Sequence, residues 1–363
     1  MKMEPVQGIT MQRAAVFVVN YILGVGILTL PRTAAQKVQT PDIWLSVIIG
    51  GLLAMIAGVI LVKLGQQFPG KTFYEYCELI VGRWLSYAVN IFIVGYFIAM
   101  SGHVDRALAE VTTLFLLEGT PHWAIMLSFL WVGLYLVLGG LNAIARLFEL
   151  IFPITVIIFV LIAVMSLKIF DLNNLRPVLG LGIMPVLNGV KATVFSFTGF
   201  EIMIILQAYM HRSKSATKAV LLGLAIPLFF YVTTVVMVIG AMSVESVISR
   251  ACATIGLIRS FEFPGIFFER YDSLLLVIWI MQIFATYVIT HYAAAHGLAS
   301  MMKKDIRQFL YLLLPLVFII AMLPKDINEL FRFADQIGNA GMVLFGVLPA
   351  VLLGIAKLRG GKK

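Results

Sequence analysis

Two apolar segments of the chain are interrupted by glycine-containing breaks, and these breaks limit the folds that the chain can adopt. The first segment breaks after residues 16–23 and resumes at Ile27. The second begins near Pro185, breaks at residues 196–200 and resumes at Glu201. In a lipid bilayer each backbone N–H and C=O needs a partner, so a broken helix persists where its freed groups line a cavity. The sequence therefore predicts a polar cavity at each break.

The composition of the chain indicates a membrane protein. Of its 363 residues, 61% are hydrophobic and 12% are charged, whereas about a quarter of the residues of a soluble domain are charged. Many apolar runs exceed the roughly 20 residues that a helix needs to cross a bilayer. We predict an all-α polytopic membrane protein with a single transmembrane domain over residues 1–363. Residues 1–13 are polar, and we expect no cleavable signal peptide.

Ten transmembrane helices are predicted from the apolar runs and the Pro and Gly residues between them. They cover residues 10–37, 41–67, 84–117, 121–140, 142–168, 184–211, 216–242, 271–302, 306–323 and 338–357. Most of the 27 Lys and Arg residues fall on the side that carries both ends of the chain, which predicts cytoplasmic termini. The net charge of +9 then reflects membrane orientation, and we predict no nucleic-acid partner.

The positions of the two breaks indicate an internal repeat. If spans one to five match spans six to ten, the halves cover about 10–168 and 184–357, and each half begins with its broken helix. An odd number of spans per half inverts the second half, which predicts the five-plus-five inverted repeat of a transporter fold. The alternative is a pair of unrelated glycine kinks.

The breaks also carry groups suited to a zwitterionic ligand. Unwinding at Gly24-Val25-Gly26 would expose the N–H groups that open the next half-helix, and the positive end of that helix attracts a carboxylate. Close packing of helices is the alternative reason for these glycines. At the second break, Ser196, Thr198 and the nearby carbonyls could accept from an ammonium group.

Several polar residues within the spans have both a functional and a structural interpretation. Glu201 is either an ionisable site residue or the cap of the half-helix that begins there. Asn20 either contacts a ligand or ion or hydrogen-bonds between helices, and Tyr96 either faces the site or packs against other aromatic residues. Thr286 and Thr290 share one helical face and form a candidate ion site, or else bond back to their own helix. Residues 105–110 are predicted to form a solvated or gate-forming face.

Enzymatic chemistry has little support in the sequence. There is no phosphate loop, nucleophile elbow or paired His-Glu metal motif. Cys77 and Cys252 are predicted on opposite sides of the membrane, so they should not pair. We therefore predict neither an enzyme nor a bound cofactor or metal.

The string from Gly24 to Arg32, together with Phe195-Ser196-Phe197-Thr198-Gly199-Phe200-Glu201, resembles the amino acid/polyamine/organocation (APC) transporter superfamily. More narrowly, the whole chain resembles the spore germination (GerAB-type) permease family, the B subunits of nutrient germinant receptors. In length, ten spans and the basic loop after span six, it is similar to that family. It departs from some proton-coupled permeases in lacking a buried lysine in span five.

The resemblance implies a LeuT-like fold with a germinant pocket between broken helices one and six. The implied germinant is an L-amino acid, sometimes with a sugar as co-germinant. The implied partners are receptor A and C subunits in the spore inner membrane. A secondary amino acid transporter is the alternative, because it needs the same pocket. The candidate ligand-binding residues are Asn20, Gly24, Val25, Gly26, Ile27, Tyr96, Phe195, Ser196, Phe197, Thr198, Gly199 and Glu201.

Overall fold

Helices make up nearly all of the chain in the computed structural model, which describes residues 8–250, 252–260 and 271–358. In chain order they are α1 (Met11–Ile22), α2 (Gly26–Val38), α3 (Ile43–Gly65), α4 (Phe73–Val81), α5 (Arg83–Phe115), α6 (His122–Leu138), α7 (Gly140–Ser166), α8 (Met184–Ser196), α9 (Met203–Leu206), α10 (Ala216–Met242), α11 (Val244–Ser249), α12 (Ala253–Arg259), α13 (Tyr271–Met302), α14 (Ile306–Ala321), α15 (Ile327–Gly341) and α16 (Leu348–Leu358).

The lengths and compositions of these helices fit a polytopic membrane protein. Five helical segments are long and apolar enough to cross a membrane as single spans: α3, α5, α7, α10 with its leading turn, and α15 joined to α16. Two bent pairs add the predicted broken helices, with bends of 53° between α1 and α2 and 43° between α8 and the segment Phe200–Tyr209. The shorter apolar helices α6 and α14 and the 32-residue α13 occupy the other three predicted positions.

One helix boundary and one loop differ from the sequence prediction. The last span begins at Ile327 rather than near residue 338, because Asp326 caps it by accepting hydrogen bonds from the amides of Asn328 and Glu329. A π-helical segment, Met342–Val347, joins α15 to α16. The loop between the second and third spans contains an additional helix, α4, which begins with a capping box formed by Thr72 and Glu75. The division into halves at 10–168 and 184–357 stays a prediction.

Pro31 explains how a helix outside the spans is attached to the first broken helix. Proline has no backbone N–H, so the carbonyl four residues earlier, that of Ile27, loses its partner in α2. The hydroxyl of Thr254 in α12 donates to this carbonyl at 2.9 Å. Both residues are buried. The short helix between α10 and α13 is therefore fixed against α2, beside the first break.

The N-terminal segment makes contacts on the side of the bundle that lies opposite α12. This side carries both described ends of the chain. Ile9 forms an isolated parallel bridge with Met210, beyond the second broken helix. Arg13 at the start of α1 pairs with Glu149 of α7 at 2.7 Å. We call this side the terminal face and the opposite side the distal face. The start of α1 and the end of the second broken span thus meet at the terminal face.

Candidate ligand site between the broken helices

The first break leaves backbone donors free. Helix α1 ends at Ile22 and α2 begins at Gly26 without a side-chain cap. Within the described part of the chain, the amides of residues 24–27 donate no hydrogen bond of standard geometry. These are the four amides that surround a helix start, where intrahelical acceptors are missing. They are available to an anionic group.

The two glycines of the first break are also required by packing. A Cβ atom on Gly24 would overlap with the hydroxyl of Thr286, and one on Gly26 would overlap with the hydroxyl of Tyr231. Close packing is therefore a sufficient reason for both glycines. It does not oppose a ligand role, because the same lack of side chains leaves the amides accessible.

Tyr231 of α10 connects the two breaks, and the sequence analysis did not single it out. Its hydroxyl lies 2.6 Å from the carbonyl oxygen of Ile22 and 3.1 Å from that of Ser196, and the side chain is fully buried. One hydroxyl proton is thus shared between a carbonyl of each broken helix. A tyrosine in the middle of an apolar span was the only available signal.

The second break, unlike the first, is capped by a side chain. Gly199 has φ +140°, a conformation that favours glycine. Its N–H donates to the Glu201 carboxylate, which also accepts from the Tyr96 hydroxyl at 2.8 Å. Glu201 is fully buried. This geometry is that of a cap, the structural interpretation of Glu201. An additional ionisable role for Glu201 stays a prediction.

A cavity of about 230 Å³ lies against both breaks and extends towards the distal face. Six of the predicted site residues line it: Val25, Gly26, Phe195, Ser196, Thr198 and Thr286. The others do not form its wall: Asn20, Gly24, Ile27, Tyr96, Phe197, Gly199, Glu201 and Thr290. The structure thus brings one part of the predicted set to the cavity, and the rest packs behind it.

Asn20 and the candidate ion site lie behind the first break. The Asn20 side chain donates to the carbonyls of Val16 at 2.9 Å and Phe148 at 3.3 Å. Thr286 donates to the carbonyl of Tyr21 at 3.0 Å, and Thr290 bonds back to its own helix at Thr286. The contacts of Asn20 and Thr290 are those of their structural alternatives, whereas Thr286 donates to a carbonyl of the first broken helix. An ion at Thr286 and Thr290 stays a prediction.

Gln282 of α13 is a second residue that the sequence analysis missed. Its amide nitrogen donates to the Asn20 carbonyl at 2.8 Å, and its oxygen accepts from Thr155 at 3.1 Å. Gln282 lies four residues before Thr286, on the same helical face. Together the two side chains hold the end of α1 against α13.

Charged residues line the distal part of the cavity. They are Arg32, Lys37, Glu110 and Asp335. For the predicted solvated or gate-forming face at residues 105–110, solvation is wrong for two members, because Asp105 is fully buried and Arg106 is 5% exposed, while a gate-forming role stays a prediction. The cause is packing of α5 against α13 and α14, its main helical neighbours. Glu110 pairs with Arg106 at 3.3 Å and with His122 at 3.1 Å.

Aromatic side chains pack behind the cavity on the terminal side. The ring of Tyr96 lies edge-on to Phe345, with centroids 5.0 Å apart, and Phe97 packs against both. Among the described residues no group of three or more His, Cys, Asp or Glu could hold a metal ion. Both cysteines are free thiols, and Cys252 is part of the cavity wall.

Comparison with known proteins places the chain in a family. The family described as "Spore germination protein" matches residues 8–330. The Bacillus subtilis spore germination protein YndE is 52% identical over 356 residues, covering 98% of each chain. Spore germination protein A2 of the same organism is 37% identical, covering 99% of this chain and 96% of the relative. For spore germination protein B2 the identity is 33% with 93% of each chain covered.

Two solved structures share the fold of this chain at low sequence identity. MhsT in complex with L-phenylalanine superposes with a TM-score of 0.75 at 12% identity, covering 99% of this chain and 91% of MhsT. Mhp1, a nucleobase-cation-symport-1 family transporter, gives a TM-score of 0.71 at 12% identity, covering 98% and 79%. At such identities the likeness concerns the fold. The chain therefore belongs to the spore germination permease family and has the LeuT-like fold with broken first and sixth helices.

Proposed function

We propose that this chain is the membrane subunit of a spore nutrient germinant receptor and binds a small germinant, an L-amino acid, between its two broken helices. The observation that carries the proposal is the open start of α2, where Val25 and Gly26, two of the residues with free amides, line a cavity that also contacts the second break. A cavity of about 230 Å³ lies just below the usual range of about 300–1,000 Å³ for drug-sized ligands, which suits a small metabolite.

The two breaks offer complementary charges to a zwitterion. The amides and positive end of α2 would receive the carboxylate. Ser196 and Thr198 lie across the cavity, and the Thr198 hydroxyl donates to Phe195 at 2.9 Å, which leaves its lone pairs for an ammonium group. Residues behind the wall, from Asn20 and Tyr96 to Glu201, would hold these groups in place. Thr286 and Thr290 are the proposed ion site.

The family membership supports the proposed setting and partners. Receptor A and C subunits would assemble with the chain in the spore inner membrane, with both termini in the cytoplasm. The distal face, and with it the mouth of the cavity, would then face outward. Germinant binding would shift the chain between two arrangements in proportion to its difference in affinity for them.

A secondary amino acid transporter is the second candidate, and the likeness to MhsT and Mhp1 favours it at the level of fold. The two functions differ only in whether the bound ligand crosses the membrane. Reconstituted vesicles containing the full chain separate them. Saturable uptake of a radiolabelled L-amino acid would establish the transporter and contradict a pure receptor.

The ligand itself is tested by thermal unfolding of the purified full chain in nanodiscs with each proteinogenic L-amino acid. We expect one or a few L-amino acids to raise the unfolding midpoint in a saturable way. Their D-enantiomers are the matched controls and should act only at much higher concentration. A protein stabilised by no amino acid would contradict the proposed ligand class.

A further inference from the structure

Arg32 is a cation in the cavity with unused hydrogen-bond donors. It lies six residues after Gly26 in α2, about 9 Å along the helix. Its Nε and Nη1 atoms are buried and have no hydrogen-bond partner. The side chain is part of the cavity wall. An arginine remains protonated in proteins, so these donors carry a permanent charge that an anion could satisfy.

The guanidinium of Arg32 is held in a way that leaves its edge free. Its central carbon lies 5.0 Å from the centre of the Phe331 ring, at the start of α15. The position over the aromatic face leaves the N–H donors of the guanidinium directed away from the ring. Nε and Nη1 belong to different edges of the guanidinium, so each of them can give a single charge-assisted hydrogen bond to a carboxylate.

The acidic groups of the cavity do not neutralise Arg32. Glu110 is already paired with Arg106 and His122. Asp335 also lines the cavity, but in the described part of the chain no ion pair joins it to Arg32. Arg13 and Arg106, in contrast, both have carboxylate partners. Among the described residues, Arg32 is thus a cavity arginine without a carboxylate partner.

We propose that Arg32 binds the carboxylate of the ligand and makes this cavity selective for carboxylate-bearing ligands over neutral sugars and simple amines. This inference rests on the proposed function and names the chemistry of its ligand. In a helix the side chain slants towards the N-terminus, which brings Arg32 back towards the free amides of residues 24–27. The amides orient the carboxylate, and Arg32 supplies the full positive charge.

The test measures binding to the full chain in nanodiscs by calorimetry or thermal shift. Each L-amino acid that stabilises the wild type is compared with its amide, in which a neutral carboxamide replaces the carboxylate. For Arg32→Gln we expect the Kd of the acid to rise about 10- to 100-fold while the Kd of the amide changes little. For Arg32→Lys the Kd of the acid should lie between those of the wild type and Arg32→Gln, because an ammonium group keeps the charge but lacks the planar set of N–H donors. Arg83→Gln, at an exposed arginine outside the cavity wall, is the matched control and should leave both Kd values unchanged.

The outcomes separate this inference from the proposed function. If Arg32→Gln binds the acid as tightly as the wild type, the role of Arg32 is overturned and the amino acid site stands. If the wild type responds to no amino acid, or only to neutral sugars, both are overturned. Unfolding midpoints without ligand show whether the variants fold. If Arg32→Gln does not fold, the acid-to-amide ratio of Arg32→Lys decides.

Discussion

The two broken helices satisfy their backbones in different ways. At the second break, the Glu201 carboxylate accepts from the Gly199 amide and from the Tyr96 hydroxyl. At the first break no side chain caps α2, and the amides of residues 24–27 stay free within the described chain. The second break is thus capped by a side chain, whereas the first break is open.

Gly26→Leu should have the largest effect, because it acts on the open break. Its Cβ would overlap with the Tyr231 hydroxyl, and the larger side chain would displace the break that lines the cavity. We expect loss of amino acid binding and a decrease in stability of about 1–3 kcal/mol from overpacking. Saturation binding and the unfolding midpoint measure both.

Two controls distinguish the local effect of Gly26→Leu from a general one. Gly354→Leu places the same side chain where nothing lies within 4 Å, and should leave binding unchanged. In a Tyr231→Phe background the nearest side-chain atom to a new Cβ is the ring carbon at 3.1 Å. Gly26→Ala should therefore cost less there. A wild-type binding curve for Gly26→Leu would refute the carboxylate role of the first break.

Glu201→Ala should destabilise the second break, which Glu201 caps. The Gly199 amide and the Tyr96 hydroxyl would each lose an acceptor in a buried site, which costs about 1–3 kcal/mol. Glu201→Gln keeps one carbonyl oxygen and should lose less. Thermal unfolding measures the difference, with the exposed Glu118→Ala as control. If Gln matches the wild type in stability and ligand response, the negative charge of Glu201 has no role.

Tyr231→Phe should weaken the link between the two breaks without disturbing either one. The substitution removes a hydroxyl that bonds to the carbonyls of Ile22 and Ser196, a loss of about 0.5–1.5 kcal/mol. Tyr135→Phe is the matched control, because Tyr135 is 83% exposed. Equal unfolding midpoints for the two variants would show that the shared hydroxyl contributes nothing.

Alkylation of Cys252 should show the smallest effect on the protein, and because this residue lines the cavity, its rate reports directly on cavity access. Burial raises the pKa of its thiol to about 11, although the nearby Arg32 charge acts in the opposite direction. The thiol is therefore protonated at neutral pH, and alkylation should accelerate about tenfold per pH unit between pH 7 and 9. Bound ligand should slow the alkylation, because Cys252 is part of the cavity wall. The measurement uses a Cys77→Ser background, and a rate independent of pH would contradict the assignment.

How much of the site the sequence predicts depends on the range of each signal. The breaks at Gly24–Gly26 and Gly199 were predictable because glycine and interrupted hydrophobicity are local features. Glu201 was recognisable as a cap from its position at a helix start. Tyr231 and Gln282 were not, since their partners Ile22 and Asn20 are more than 200 residues away in the sequence.

By itself the sequence determined the membrane setting, the two broken helices and the family. The first two follow from apolar length and from backbone hydrogen bonding, which the bilayer enforces on every segment separately. The family follows from the resemblance of the strings around the two breaks. Only the tertiary structure decided which break is open, which residues form the cavity wall, and that, among the described residues, Arg32 has no carboxylate partner while Arg106 has one. Pairing across the bundle depends on how helices pack against one another, and no local pattern records that.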